Sequence, residues 1–515
     1  AGVGAGAAGS GLEFIVRTGK GVPRPRVRAL KYGPPLAWRQ RRRGRGPAAP
    51  PDPTMSPSAT PARLGEEVRT TAALAAPLVA GHFATGLIGF VDNVIAGRHG
   101  TSTLAGVAVG TAMFWLVMLV PMGTLMALPP SVSQLDGAGR RAEVGPLFRQ
   151  ALWLALGLGL LLFVLLGLGR HVLEPMGIAV DVRPDAAAFL GGIRWGVPAL
   201  TVYLCLRYLC DGLHWTLPTM AFGFGGLLVL LPLGYAFTFG AFGLPEGGAG
   251  GLGLASAIMM WAQVAGFVLY LARSRRFSAL RLFDRFELPR RGEIGSLLRT
   301  GLPIGVTVAM EGGLFVVTAL LIGRIGELEV AAHQIAINVA SLCFMVPFGL
   351  AEATTVRVGH ALGAGRGAYG VRRAALAGLV LVLATQAVSA TVLLGGHGAI
   401  VAIYTHDVAV ASLAGSLLLF AAAFQFPDGI QVLSAGALRG LRDTRVPMFI
   451  AALAYWGIGM PLGAGLGLGL GWGPRGMWTG LIAGLAVAAV LMAARFLRSS
   501  RPAALAATGR VTNGA

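Results

Sequence analysis

The chain has 515 residues, 55% of them hydrophobic and only 12% charged, with a mean hydropathy of +0.70. That is more apolar surface than a water-facing core can bury, so lipid is its solvent. The net charge of +20 does not point to nucleic acid, because the basic residues flank apolar runs in short connections and tails, the distribution that sets membrane topology.

Residues 1–54 are dense in Arg, Pro and Gly and poor in apolar periodicity, as in RQRRRGRGPAAPPDPT, a composition that predicts disorder. They contain no apolar segment ahead of a small-residue cleavage site, so they do not read as a signal peptide. We expect residues 1–64 to form an unstructured basic extension, the part before Met55 lying upstream of the native start. A basic cytoplasmic arm against anionic lipid is the alternative.

From there, apolar runs of roughly 20 residues follow one another, each long enough to cross the hydrocarbon as a helix. The predicted spans are 70–96, 103–129, 148–170, 186–208, 218–241, 249–272, 296–322, 330–354, 373–395, 408–436, 446–470 and 475–497. Segments of about ten residues with dyad alternation, the mark of an outer-membrane barrel, are absent. The fold class is an all-α membrane protein. Cys205, Cys210 and Cys343 lie in or beside the spans and suggest neither a disulfide framework nor a zinc motif.

Arginines gather in the even-numbered connections, for example Arg140 and Arg141, Arg273 to Arg291, Arg366 to Arg373, and Arg439 to Arg445. Those connections and both termini are therefore expected in the cytoplasm of a bacterial inner membrane. A shift of 226 residues overlays Pro77 on Pro303, Pro121 on Pro347, Gly123 on Gly349 and Arg140 on Arg366; a slightly longer shift overlays Pro232 on Pro461. Six spans per repeat give two halves of like orientation, related by an axis along the membrane normal. The expected division is 65–285 for the first lobe, 286–497 for the second, and 498–515 for a disordered cytoplasmic tail. A substrate held between such lobes can be exposed to each side in turn. No Walker-type GxxxxGK[ST] loop is present, which leaves an ion gradient as the common remaining driver. Nor does any HExxH, GxSxG or paired-Asp constellation lie in the spans, so an enzyme is not expected.

Ionisable groups inside a membrane seldom persist without a task. Asp92 in the first span, Glu311 in the seventh and Asp428 in the tenth each sit among apolar residues. A carboxylate there can exchange a proton or Na+ for substrate and can neutralise a cationic compound. Each can instead cap a broken helix or pair with an arginine, and Arg98 is near Asp92 in sequence. Pro427 frees a backbone carbonyl beside Asp428, as a cation ligand or as a simple kink. Gln425, Gln431, Gln334 and Asn338 are candidate lining groups, with interhelical hydrogen bonding as the alternative. Phe424, Phe344, Trp115 and Tyr455 are aromatic candidates for a cavity that takes flat cations.

The strings GFVDNVIAG (89–97), EVAAHQIAINVASLCFMVPFGLAEATTVRVGHALGAGR (329–366) and SAGALRGLRDTRVPM (434–448) resemble the multidrug and toxic compound extrusion (MATE) family, in its NorM-like branch, over about residues 65–497. The resemblance implies a twelve-helix, two-lobed exporter that binds small organic cations within the lipid bilayer, with no cofactor beyond the coupling ion, Na+ or H+. It maps the functional carboxylates onto Glu311 and Asp428, as the pair that holds the coupling ion, and onto Asp92, for proton or substrate handling. A monomer with no nucleic-acid partner is expected. The chain departs from the family's NxxLD pattern in the fifth span, reading Leu230 to Gly234, and has Phe424 where relatives often have Tyr. A flippase for lipid-linked saccharides on the same architecture is the rival reading, and would call for a strongly basic cavity.

Overall fold

The computed structural model describes residues 63–506. Twelve helices in it are long and apolar enough to cross a membrane. We number them α1 (Leu64–His99), α2 (Thr101–Gly137), α3 (Arg141–His171), α4 (Arg183–Gly212), α5 (Leu217–Phe239), α6 (Gly248–Arg273), α7 (Arg291–Gly323), α8 (Glu327–Gly363), α9 (Gly367–Tyr404), α10 (Val408–Gly440), α11 (Arg445–Gly469) and α12 (Pro474–Ser499). Helices satisfy every backbone donor and acceptor within one segment, which hydrocarbon demands.

Most helices outrun the predicted spans. The fourth was expected over 186–208 and runs Arg183–Gly212, because polar groups at its end, such as Asp211, find partners inside the bundle and need no water. α8, at 37 residues, is about 55 Å long, well beyond the hydrocarbon thickness. Most of the extension expected over 1–64 lies outside the described residues, and α1 already begins at Leu64. The tail expected to be disordered from 498 is helical to Ser499 and again over 502–506; the rest of it lies outside the described residues.

Caps and breaks follow local chemistry. The Arg63 N–H donates to Glu66 Oε2 at 3.0 Å at the start of α1. Asp407 Oδ1 accepts from the N–H groups of Ala409 and Val410 at the start of α10. The repeat-related prolines Pro77, Pro303, Pro121 and Pro347 lie inside α1, α7, α2 and α8. α11 is π-helical over Ala452–Gly459 and Gly465–Gly469, a widening often found at functional sites.

Two buried apolar cores form, one running from Ile95 to Ile304 and one from Leu314 to Phe496. The first core reaches into α7, because the first turns of α7 pack on α2. There a Cβ on Gly123 would stand 2.6 Å from Gly305 Cα, and one on Gly301 would stand 2.0 Å from Thr124 O. The related contact joins α8 to α1, where a Cβ on Gly349 would meet Val79 N at 3.0 Å. At one end of the bundle α2 and α8 meet each other. A Cβ on Gly137 would clash with His360 O at 2.3 Å, and one on Gly363 with Gln134 O at 2.0 Å. Gly137 and Gly363 are themselves 226 residues apart, so the contact is nearly two-fold symmetric. A third, smaller core of Leu74, Leu78, Leu350 and Val356 closes the same region. The two halves thus meet backbone to backbone, the packing that small residues permit in lipid.

At that end the loop residue His214 stacks edge-on to His360, with ring centroids 4.8 Å apart. Asp136 Oδ2 approaches both rings, at 3.9 and 3.8 Å. Burial, then His360 and Arg357, push the His214 imidazole down to about 4 against the pull of Asp136.

Two predictions follow from this packing. Gly301→Val should destabilise the protein by about 2 kcal/mol or more, whereas Gly395→Ala, with open space around it, should not; thermal unfolding followed by size-exclusion fluorescence compares them. Between the ordinary histidine value of 6.5 and about 4, the unfolded chain binds a proton at His214 that the folded chain does not. The His214 contribution to stability is therefore complete above that window and is lost as pH falls through it. His214→Asn should flatten this part of the pH–stability curve.

Candidate functional site

α2, α7, α8, α10 and α11 enclose a cavity of about 360 Å³. Its wall is mostly apolar, with Met122, Val308, Ile337, Phe344 and Phe348 among the lining residues, and into it come Glu311 of α7 and Asp428 of α10. Gln431, one helical turn beyond Asp428, also lines it. Spacing of three residues on α10 sets the two side chains on one face. Asp428 and Gln431 are nearly inaccessible, at 2% and 1%, and Asp428 Oδ1 and Gln431 Oε1 have no hydrogen-bond partner. The Tyr455 hydroxyl, on the π-helical part of α11, is buried and unpartnered as well, within electrostatic range of Glu311 and Asp428. Buried oxygen atoms without donors are uncommon in folded proteins. Here they converge near one carboxylate pair, a set of hard oxygen ligands suited to a proton or a small hard cation.

Phe424 also lines the cavity, held edge-on between Phe315 and Trp478 with ring centroids at 6.0 and 5.7 Å. The Trp478 indole N–H donates to His333 Nδ1 at 3.2 Å, so this aromatic wall is braced from behind.

Not every sequence candidate comes together here. Gln425 turns to α9, where its backbone carbonyl accepts from Gln386 Nε2 at 3.1 Å and its Oε1 accepts from Ser389 Oγ; it serves interhelical bonding. Gln334 and Asn338 bond each other at 3.3 Å on an exposed face of α8, and neither lines the cavity. Pro427 lies within α10 but does not line it either. Trp115 is exposed. Asp92 is buried in the first half, apart from the cavity, with Oδ1 unpartnered and no ion pair to Arg98 among the described residues. One turn along α1 from Asp92, Ile95 packs onto Gly234 of the fifth helix.

Further buried charged groups lie outside the sequence candidates for the site. Arg439, counted above among the basic connections, is 8% exposed within α10 and lines the cavity. Glu352 of α8 sits between His82 and Arg207, and Arg207 also contacts Asp211. Glu352 met the same criterion as Glu311, a lone carboxylate in a long apolar run, and the four-residue spacing of Arg207 and Asp211 is a helical ion-pair signal.

The family model MatE matches twice, over residues 77–236 and 303–464, two copies that begin 226 positions apart. The chain belongs to the MatE family. It is 68% identical over 449 residues to the probable multidrug resistance protein NorM of Xanthomonas campestris, covering 87% of this chain and 98% of the relative. With the multidrug resistance protein PmpM of Pseudomonas aeruginosa it shares 43% over 444 residues, 85% of this chain and 93% of the relative. Among solved structures, the eukaryotic MATE transporter AtDTX14 superposes with a TM-score of 0.77 at 20% identity, covering 86% of this chain and 99% of that one. The Vibrio cholerae MATE transporter VcmN gives 0.74 at 18%, covering 85% and 98%. These structural likenesses carry the fold, and the sequence relatives carry the family: a transporter, not an enzyme.

Loss of the unpartnered, buried hydroxyl in Tyr455→Phe should leave the thermal stability unchanged or raise it; thermal unfolding followed by size-exclusion fluorescence checks this.

Proposed function

We propose that this multidrug efflux transporter of the MATE family exchanges cationic organic compounds for Na+ or H+ by alternating access. The observation that carries the proposal is the carboxylate pair Glu311 and Asp428 in one largely apolar cavity with unpartnered oxygen atoms around it. A hydrophobic cation can lay its apolar body against Phe344, Phe348 and Phe424 and its charge against the carboxylates. A proton or Na+ can neutralise the same carboxylates. Since both occupants compete for one set of charges, binding of one favours release of the other, which is the thermodynamic requirement for exchange.

In this reading the halves 65–285 and 286–497 are the lobes that rock, Asp92 is a separate proton or substrate group, and both termini face the cytoplasm of the inner membrane. A saccharide flippase gains no support, since Glu311, Asp428 and Asp443 face a single arginine, Arg439, around the cavity. Negative walls suit cations.

Asp428→Asn should abolish gradient-driven efflux of a cationic dye from proteoliposomes while leaving membrane insertion intact; full retained efflux would sink the assignment. Comparing an imposed Na+ gradient with an imposed pH gradient in the parent protein identifies the coupling ion.

A further inference from the structure

The cavity does not use the most highly charged cluster in the bundle. Glu352 projects from α8 of the second half into the first half. There its Oε2 lies 2.9 Å from His82 Nε2 of α1 and accepts from Arg207 Nη2 of α4 at 3.0 Å. Arg207 Nε reaches Asp211 Oδ2 at 3.4 Å, and Asp211 Oδ1 accepts from Thr219 Oγ1 of α5 at 2.6 Å. All these side chains are nearly buried, Glu352 at 10% and Arg207 at 8%. Five residues further along α8, Arg357 pairs across the same boundary with Glu67 of α1. A crevice of only about 10 Å³ separates Glu352 and Asp211 from Arg439, room for at most one water.

Both polar partners of Glu352 belong to the opposite half. The glycine-faced contacts of α2 with α8 and α7, and of α8 with α1, lie in the same region, so Glu352 stands where the halves are joined. Parting them at this end strips a buried carboxylate from His82 and Arg207 at once, and Arg207 is left with Asp211 alone. Arg439 lines both this crevice and the carboxylate cavity, so one guanidinium sits between the two sets of charges.

The geometry points to a charged latch: Glu352, clasped by His82 and Arg207, holds the two halves together at this end and sets how often they part, with Arg439 linking the latch to the cavity. This rests on the alternating-access reading above and gives Glu352 a positioning role in the cycle. Glu352 does not line the carboxylate cavity.

The test uses the full chain in lipid nanodiscs, with Cys343→Ala to remove the one native cysteine that is not buried. Spin labels go on Ala138→Cys and Ala364→Cys, exposed positions related by the repeat and one on each half. Short distances between the labels are read by dipolar line broadening and long ones by double electron–electron resonance, without substrate or ion gradient. The parent should give a predominantly short distance. Glu352→Gln should raise the long-distance population about tenfold, the scale expected when a charged hydrogen bond is removed from one of two states, and Glu352→Asp should return it toward the parent. An unchanged distribution in Glu352→Gln overturns the latch, and so does lost dye efflux with unchanged distances. If Glu352→Gln yields no monodisperse protein, His82→Ala, which removes one clasp and leaves Arg207, should give a smaller shift of the same sign; no shift there overturns the proposal equally. Because the distances are read without transport, their outcome is separate from whether the protein exchanges cationic drugs.

Discussion

A charge in hydrocarbon without a partner costs several kcal/mol, and the positions of the ionisable side chains in this bundle follow from that cost. Two groups of them meet it in different ways. Arg207, Asp211, Glu352 and His82 resolve it by pairing with one another. Glu311 and Asp428 face a shared cavity where an incoming cation or proton can complete them. The first solution makes cohesion and, in the proposed function, the second makes a binding site. Arg439, bordering both, makes it physically sensible that the state of one is felt by the other.

Much of the fold was legible because lipid leaves few options. A chain with twelve apolar runs, each long enough to span, has to form helices, and their approximate positions follow from hydropathy. The duplication was legible through Pro77 and Pro303, or Gly123 and Gly349, because kinks and close approaches need those residue types. Helix ends were less so. The fourth helix continues to Gly212 because Asp211 is satisfied by Arg207 and Thr219, and no hydropathy profile sees a tertiary partner.

The site divides along the same line. Glu311 and Asp428 were visible as isolated carboxylates, and their meeting in one cavity needed the placement of α7 and α10 on either side of it. Gln425 and Gln334 have the same chemistry as Gln431, but rotation about the helix axis sends the first to α9 and the second to an exposed face. Arg439 was misread because arginines near a predicted helix end look like topology signals; four further residues of helix draw it into the bundle. The repeat also hides its own divergence. Glu352 overlays Met126, Glu311 overlays Thr85 and Arg439 overlays Asp211, so the scaffold is duplicated while the charges are not.

The glycine contact between α2 and α8 has a mechanical meaning. At Gly137 and Gly363 the atoms that touch are main chain, and the side chains that cross the seam beside them are few, Asp136 and His214 against His360 among them. Such a joint is smooth, with little adhesion of its own, and on the alternating-access proposal it can roll open and re-seat in the same register. Adhesion at this seam is therefore left to a few ionic contacts, whose strength can be altered one side chain at a time without reshaping the bearing surfaces.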